Sequence, residues 1–131
     1  MAYHVSKARF AELVEQALAE LPPQFARFLE EVPLEIRDCP SRKLLRSLGM
    51  DDDELLLGLY QGHALTDRSV EYSAGTPGDK ALDVIYVFQE DVELVSDNAD
   101  ELKREVRTTV LHEIGHHFGL DEDELDRLGY R

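Results

Sequence analysis

The strongest constraint on the fold is the run H-E-I-G-H at residues 112–116. Its two histidines, His112 and His116, are four residues apart, and residues at that spacing stack one turn above the other on an α-helix. Two neutral imidazoles on one face can each turn a nitrogen toward the same ion, and zinc takes imidazole readily. The spacing therefore predicts a helix that carries a pair of metal ligands.

The glutamate within this run has a different predicted role. Glu113 directly follows the first histidine, so it lies a short rotation further round the helix and can reach a water molecule at the open position of the metal. A carboxylate in that place is suited to act as a general base. His117 lies about 100° round the helix from His116, and we interpret it as a packing or supporting residue.

A third ligand is expected after a bend in the chain. Gly119 ends the helical pattern, where a glycine can adopt a positive φ angle, and Glu122 follows three residues later. The spacing H-E-x-x-H-x-x-G-x-x-E resembles the extended metzincin pattern with a carboxylate as the last ligand, and two histidines with a carboxylate form a catalytic zinc set. Asp121 and Asp123 are alternative ligands, and Glu122 could instead be a solvated acid at a helix start.

Composition limits the size of the protein and its partners. The 131 residues carry a formal net charge of −14, from 14 lysines and arginines against 28 aspartates and glutamates. A surface of this sign repels nucleic acid and anionic lipid, so we expect neither as a partner. The length suits one domain over residues 1–131. The residues do not determine the oligomeric state, and we expect a monomer.

The compartment is predicted from what the sequence lacks. Cys39 is the only cysteine and cannot form a disulfide within the chain, which fits a reducing compartment, and we expect it to be a small buried residue. The first thirty residues are amphipathic and charged, and no stretch approaches the roughly 20 apolar residues of a membrane-spanning helix. We therefore expect a cytoplasmic protein.

Helical periodicity predicts three main helices. Ser6 is a suitable N-cap for the first helix, which Pro22 ends, and Pro23 is well placed to open a second. Asn98 can cap the third helix, with Glu101 at its N3 position, and that helix runs into the motif. The residues at helical spacing that we expect to face the core are Phe10, Leu13, Val14, Ala17, Leu18, Leu21, Phe25, Phe28, Leu29, Leu102, Val106 and Val110.

Other apolar runs predict a small β-sheet. Residues 32–36 alternate between apolar and polar, as in a half-buried strand. Residues 55–60 favour a second strand, in which Gly58 either lets another backbone approach closely or marks a bulge. A third strand is expected over residues 65–69. Residues 84–88 are continuously apolar, which predicts a central strand buried on both faces.

The remaining segments are interpreted as connections. Residues 41–48 could form one or two helical turns, and the acidic run 51–54 is expected to be a solvated loop, because it lacks the spacing of a calcium-binding loop. Residues 71–81 form the most loop-like stretch, and residues 89–97 are interpreted as a connector between the strand and the next helix. A short last helix is predicted to begin near Asp121.

With these elements in order, the chain resembles the minimal zincins, which are small bacterial domains classed as zinc metallopeptidases. The resemblance rests on the opening amphipathic helix, the segment 58–69, the strand 84–88 and the run 109–120 with 128–130, so it covers nearly the whole chain. It implies a compact single-domain α/β (α+β) fold, in which a small mixed sheet packs on helices and the motif helix lies beneath the sheet.

The resemblance also implies roles for individual residues. His112 and His116 fall on the two histidine ligands of the family and Glu113 on its catalytic glutamate. Glu122 falls on the third ligand, a position where the family more often has aspartate. The implied cofactor is Zn²⁺, and the implied activity is hydrolysis of a peptide or protein substrate by a zinc-activated water. The substrate would lie beside the strand at residues 55–60, which its glycines would leave accessible.

Two other functions are compatible with parts of this pattern. One is a zinc-holding interaction module with weak or lost catalysis, although metal retention alone would not require Glu113. The other is a metal-dependent nuclease, which the net charge disfavours. Tyr60, His63 and Arg68 are candidate oxyanion stabilisers, and each could equally be structural.

We predict that the protein binds one equivalent of zinc, which elemental analysis after gentle purification measures. A His112→Ala/His116→Ala double variant should lose the metal.

Glu122→Ala should weaken zinc retention much more than Asp121→Ala or Asp123→Ala does, because only the ligand contributes to affinity. Equal losses in the three acid variants would mean that Glu122 is not the third ligand.

Overall fold

The computed structural model of the protein describes residues 2–62 and 83–117 together with Asp123 and Arg127, except for the side chains at positions 24, 26, 27, 31, 116 and 117. These residues combine helices with a small sheet, as the predicted α+β class requires. The elements in chain order are α1 (Lys7–Ala19), α2 (Pro23–Glu31), β1 (Leu34–Arg37), α3 (Arg42–Ser47), β2 (Gly58–Gln61), β3 (Val84–Phe88), α4 (Gln89–Leu94) and α5 (Ala99–His117).

The described strands form one mixed sheet in the order β1-β3-β2. β1 pairs in parallel with β3, and β2 pairs with β3 in the antiparallel direction. The run 84–88 is therefore a central strand, as predicted. Its burial on both faces is confirmed only in part, since Ile85 and Val87 are buried against the helices whereas Val84 and Tyr86 are half-buried. The reason is that the apolar core lies on one face of the sheet.

The predicted N-caps are confirmed. The Ser6 hydroxyl accepts a hydrogen bond from the Arg9 N–H, and the Asn98 side chain accepts one from the Glu101 N–H at 2.9 Å. The Glu101 carboxylate also accepts the N–H of Asp97, the residue before the cap, at 2.7 Å. Of the predicted core residues only Leu18 and Leu29 are not fully buried, and both pack against the core.

No helix within the described residues combines the length and apolarity that crossing a membrane requires.

Two strand boundaries differ from the prediction. The strand predicted over residues 32–36 begins at Leu34, because Val32 is still bonded to the helix before it, through its N–H to the Phe28 carbonyl. The strand predicted over residues 55–60 begins only at Gly58.

The acidic run 51–54 is exposed, as expected, and α3 occupies part of the segment 41–48. The strand predicted at 65–69 and the loop at 71–81 lie outside the described residues.

The connector 89–97 contains the helix α4, which the sequence analysis did not predict. The buried side of α4 includes Gln89, Asp91 and Glu93 beside Val92. Because most of these side chains are polar, the segment shows no apolar periodicity, although Asp91 and Glu90 in its first turn favour a helix N-terminus.

Cys39 is exposed, contrary to prediction, because it follows β1 in a connecting segment, and such segments run over the surface.

Glu93 anchors the chain segment that precedes α1. Its buried carboxylate accepts hydrogen bonds from the Gln89 amide and the Val5 N–H, each at 3.0 Å, and pairs with His4 Nδ1 at 3.2 Å. Burial by itself would raise the pKa of Glu93, but the bonds from Gln89, Val5 and His4 outweigh it and lower the pKa below the usual 4.5. The buried charge therefore stabilises the attachment of residues 3–5.

We expect Glu93→Gln to lower the free energy of unfolding by about 1–3 kcal/mol near neutral pH, because the donors around position 93 lose a charged acceptor. Since the native pKa is lowered, the contribution of Glu93 is present above its unfolded value of 4.5 and is lost as the pH falls through the native value. Urea unfolding of both proteins across this range should show the deficit shrinking below pH 4.5. A deficit independent of pH would contradict this account.

Candidate active site

α5 carries the histidine motif on one uninterrupted helix that runs to His117. The helix is held in place by Leu102, Val106 and Val110, which are fully buried. The backbone positions of His112 and His116 are therefore one turn apart, as predicted for two ligands of one ion. The His116 and His117 side chains lie outside the described residues, as do Gly119, Asp121 and Glu122. The convergence of the three ligands stays a prediction.

His112 has the chemistry expected of a zinc ligand. The residue is half-buried, and its Nε2 atom is buried from solvent. An imidazole nitrogen shielded from water is a donor that zinc accepts. Among the side chains that the structure describes, no three histidines, cysteines or acids form a group that could hold a metal. The predicted set, however, extends beyond them through His116 and Glu122. The alternative ligand Asp123 is exposed.

Glu113 reaches the edge of the three-stranded sheet. Its carboxylate oxygen Oε1 accepts a hydrogen bond from the main-chain N–H of Tyr60 on β2, with an N to O distance of 2.6 Å. The residue is half-buried, so this bond is partly shielded from water. Short hydrogen bonds to an ionised acceptor are among the strong ones in proteins. The predicted general base is therefore tied to the backbone of a strand.

The strand register explains why this N–H is directed toward Glu113. The Phe88 N–H donates to the Leu57 carbonyl at 2.9 Å, which identifies Leu57 as a hydrogen-bonded position of the antiparallel ladder. Such positions alternate along a strand, so Tyr60, three residues later and opposite Ile85, is a position without ladder bonds. The Tyr60 main chain is therefore directed away from β3. Its N–H makes no hydrogen bond to β3 and donates to Glu113 instead.

Gly58 allows α5 to come close to β2. A Cβ atom added at Gly58 would lie 2.5 Å from the Thr109 Cγ2 atom and 2.8 Å from the Tyr86 carbonyl oxygen. Both distances are shorter than real Cβ contacts allow, so a larger residue would separate these elements. Of the two alternatives for this glycine, the structure favours a close approach, and its neighbours are a helix side chain and the adjacent strand. The space at Gly58 is thus used by α5 and is not left for a substrate.

A buried carboxylate holds the segment that leads into β2. Asp91 of α4 is buried, and its Oδ2 atom accepts a hydrogen bond from the Leu56 N–H at 2.9 Å. Burial raises the pKa of Asp91 above the usual 3.8, whereas the bond from Leu56 acts in the opposite direction. This contact connects α4 to the chain two residues before Gly58.

The Tyr60 side chain is held by contacts with Asp83 and Phe28. Its hydroxyl donates to Asp83 Oδ2 at 2.9 Å, and its ring lies 6.3 Å from that of Phe28, centroid to centroid. A phenol has one hydrogen to donate, and here Asp83 receives it. This arrangement favours a structural role for the Tyr60 hydroxyl over oxyanion stabilisation. His63 and Arg68, the other candidate stabilisers, lie outside the described residues.

Sequence reasoning did not single out Asp83 or Thr109. Asp83 directly precedes β3 and neighbours Tyr60 only once the pairing of β2 with β3 is known. Thr109 lies one turn before Glu113 on α5, and its contact with Gly58 depends on where the helix crosses the strand. The only signal in the sequence was the glycine inside a predicted strand.

Comparison with known protein families identifies the family of the chain. A model of the zincin-like metallopeptidase family matches residues 29–130 of the chain. The chain belongs to this family. No curated protein matches it. Membership supports a metallopeptidase at the level of the family, whose members generally use zinc and act on proteins or peptides.

A double-mutant cycle should show that Tyr60 and Asp83 stabilise the protein together. We expect Tyr60→Phe and Asp83→Ala each to destabilise the protein, with a coupling of about 1.5–3 kcal/mol, because each single change removes the same neutral-to-charged hydrogen bond. Chemical unfolding of the wild type, both single variants and the double variant measures the coupling. Purely additive losses would show that the bond contributes nothing to stability.

Proposed function

We propose that this member of the zincin-like family is a zinc-dependent peptidase. In this proposal His112, His116 and Glu122 hold the metal ion and Glu113 is the general base. The observation that carries it is the position of the Glu113 carboxylate, which is bonded to an edge strand of the described sheet and directly follows a histidine with a buried ring nitrogen. Metal retention alone has no use for a carboxylate placed in this way.

The roles of the chain's own groups follow from this geometry. A zinc ion held by the three ligands would supply an acidified water and polarise the scissile carbonyl. Glu113 accepts the proton of the attacking water and delivers it to the leaving amine. Because Oε1 is bonded to the Tyr60 N–H, we assign the proton transfer to Oε2.

We further propose that the substrate lies as an extended peptide along β2. Two observations support this position. β2 is an edge strand among the described strands, and its main chain at Tyr60 is directed away from β3. A peptide at this edge would pair through main-chain groups other than the Tyr60 N–H, which is bonded to Glu113, and would therefore pass next to the Glu113 carboxylate.

Glu113→Gln should separate catalysis from metal binding. The amide keeps the size of the side chain and can still accept the Tyr60 N–H, but it has no basic oxygen. We therefore expect a folded protein with a full equivalent of zinc, whose cleavage is slower by about 10²- to 10⁴-fold. The measurements are elemental analysis and digestion of a broad peptide library by the zinc-loaded proteins, followed by mass spectrometry.

Glu105→Gln is the matched control. It makes the same chemical change on α5, two turns before Glu113, and should leave cleavage unaffected. Undiminished cleavage by Glu113→Gln would show that the proposed mechanism is wrong. Loss of zinc from this variant would show that Glu113 has a structural role instead. No cleavage by the zinc-loaded wild type would favour the interaction module.

A further inference from the structure

We propose that Gly58 and the main-chain N–H of Tyr60 are positioning elements for the Glu113 carboxylate. This inference rests on the proposed function, because it assigns Glu113 a catalytic task. It goes further because it names what holds that carboxylate in place. This is a pair of contacts between α5 and β2, at Gly58 and at Tyr60, which we call the seam. The seam depends on the absence of a side chain at position 58.

The seam consists of two consecutive contacts. At the first, Thr109 fills the space beside Gly58, and at the second, Glu113 accepts the N–H of Tyr60. The two contacts are four residues apart on the helix, an advance of about 6 Å, and two residues apart on the strand, an advance of about 6.7 Å. Because the two contacts lie this close together, a change in the separation of α5 and β2 at Gly58 also changes their separation at Tyr60.

The second contact tolerates little change in that distance. Its N to O separation is 2.6 Å, and a hydrogen bond is lost beyond about 3.5 Å. A methyl group at position 58 would overlap both the Thr109 side chain and the Tyr86 carbonyl oxygen, of which the latter belongs to a central strand and cannot swing aside. A displacement of α5 by about 1 Å would therefore lengthen the bond from Tyr60 to Glu113 or move the carboxylate out of its present position.

The bond matters because glutamate is a flexible side chain. Without a partner its carboxylate samples several rotamers, whereas the rigid strand donor selects one of them. A misplacement of about 1 Å in a reacting group can lower the rate of a reaction on the order of 10²-fold. The donor belongs to the same strand along which we propose that the substrate lies. The base and the substrate would then be aligned by one element.

The first test is NMR spectroscopy of the full chain, with and without zinc. The Tyr60 amide proton should resonate downfield and exchange slowly, because it is bonded to a carboxylate at 2.6 Å. Glu113→Ala removes the acceptor, so the resonance should move upfield and its exchange should become at least about tenfold faster. A Tyr60 amide that does not respond to this change would overturn the proposal. This measurement requires no substrate.

The second test uses Gly58→Ala. The variant should keep its zinc, reproduce the change in the Tyr60 amide and lower kcat by about 10- to 100-fold with little effect on KM. Adding Thr109→Ser removes the nearer overlapping group and should restore part of kcat and part of the amide shift. Leu34→Ala on β1 controls for general loss of stability, since it weakens the core at the far strand and should change neither readout.

These outcomes separate the inference from the proposed function. If the Tyr60 amide responds as expected but the zinc-loaded wild type cleaves no peptide, the peptidase assignment fails and the positioning contact stands. If the wild type cleaves peptides but the amide is insensitive to Glu113→Ala, the positioning proposal is overturned and the peptidase assignment stands. A Gly58→Ala variant with an altered amide and an unchanged kcat also overturns the positioning role.

Discussion

The close packing of α5 on β2 at Gly58 is the contact on which the candidate site depends. It brings the helix that carries His112, Glu113 and His116 against the edge of a sheet, and it puts the Glu113 carboxylate beside the Tyr60 N–H. Since a hydrogen bond of this length requires an accurate separation, both elements must be held firmly. Buried apolar residues of α5 and the ladder between β2 and β3 supply that support.

Buried polar side chains of α4 also hold neighbouring segments of the chain in place. Asp91 holds the chain just before β2, and Glu93 holds the segment before α1. A buried carboxylate is costly unless hydrogen-bond donors surround it, and here each carboxylate accepts a main-chain N–H from a segment without regular structure, to which Glu93 adds the Gln89 amide and His4. The pKa values move in opposite directions: burial raises that of Asp91, whereas the several donors around Glu93 outweigh burial and lower its pKa. One short helix thus organises two irregular segments.

The family match begins at residue 29, after α1 and most of α2. These helices nevertheless belong to the same core as the motif helix. Phe10 and Leu13 are buried in a cluster with Val110 and Ile114 of α5, and Arg107 of α5 bonds to Glu20 at the end of α1. The N-terminal helices therefore support the position of the site from outside the matched region, because a single apolar core links them to α5.

The sequence alone determined what depends on neighbouring residues. The caps at Ser6 and Asn98, the buried faces of α1 and α5, the helical spacing of His112 and His116 and the central strand could all be predicted, because periodicity and capping act over a few residues. Only the tertiary structure decided that α4 is a helix, that Thr109 fills the space beside Gly58 and that Tyr60 donates to Glu113. Each of these depends on residues distant in sequence: α4 buries polar groups whose donors lie elsewhere, and strand register sets which N–H groups face outward.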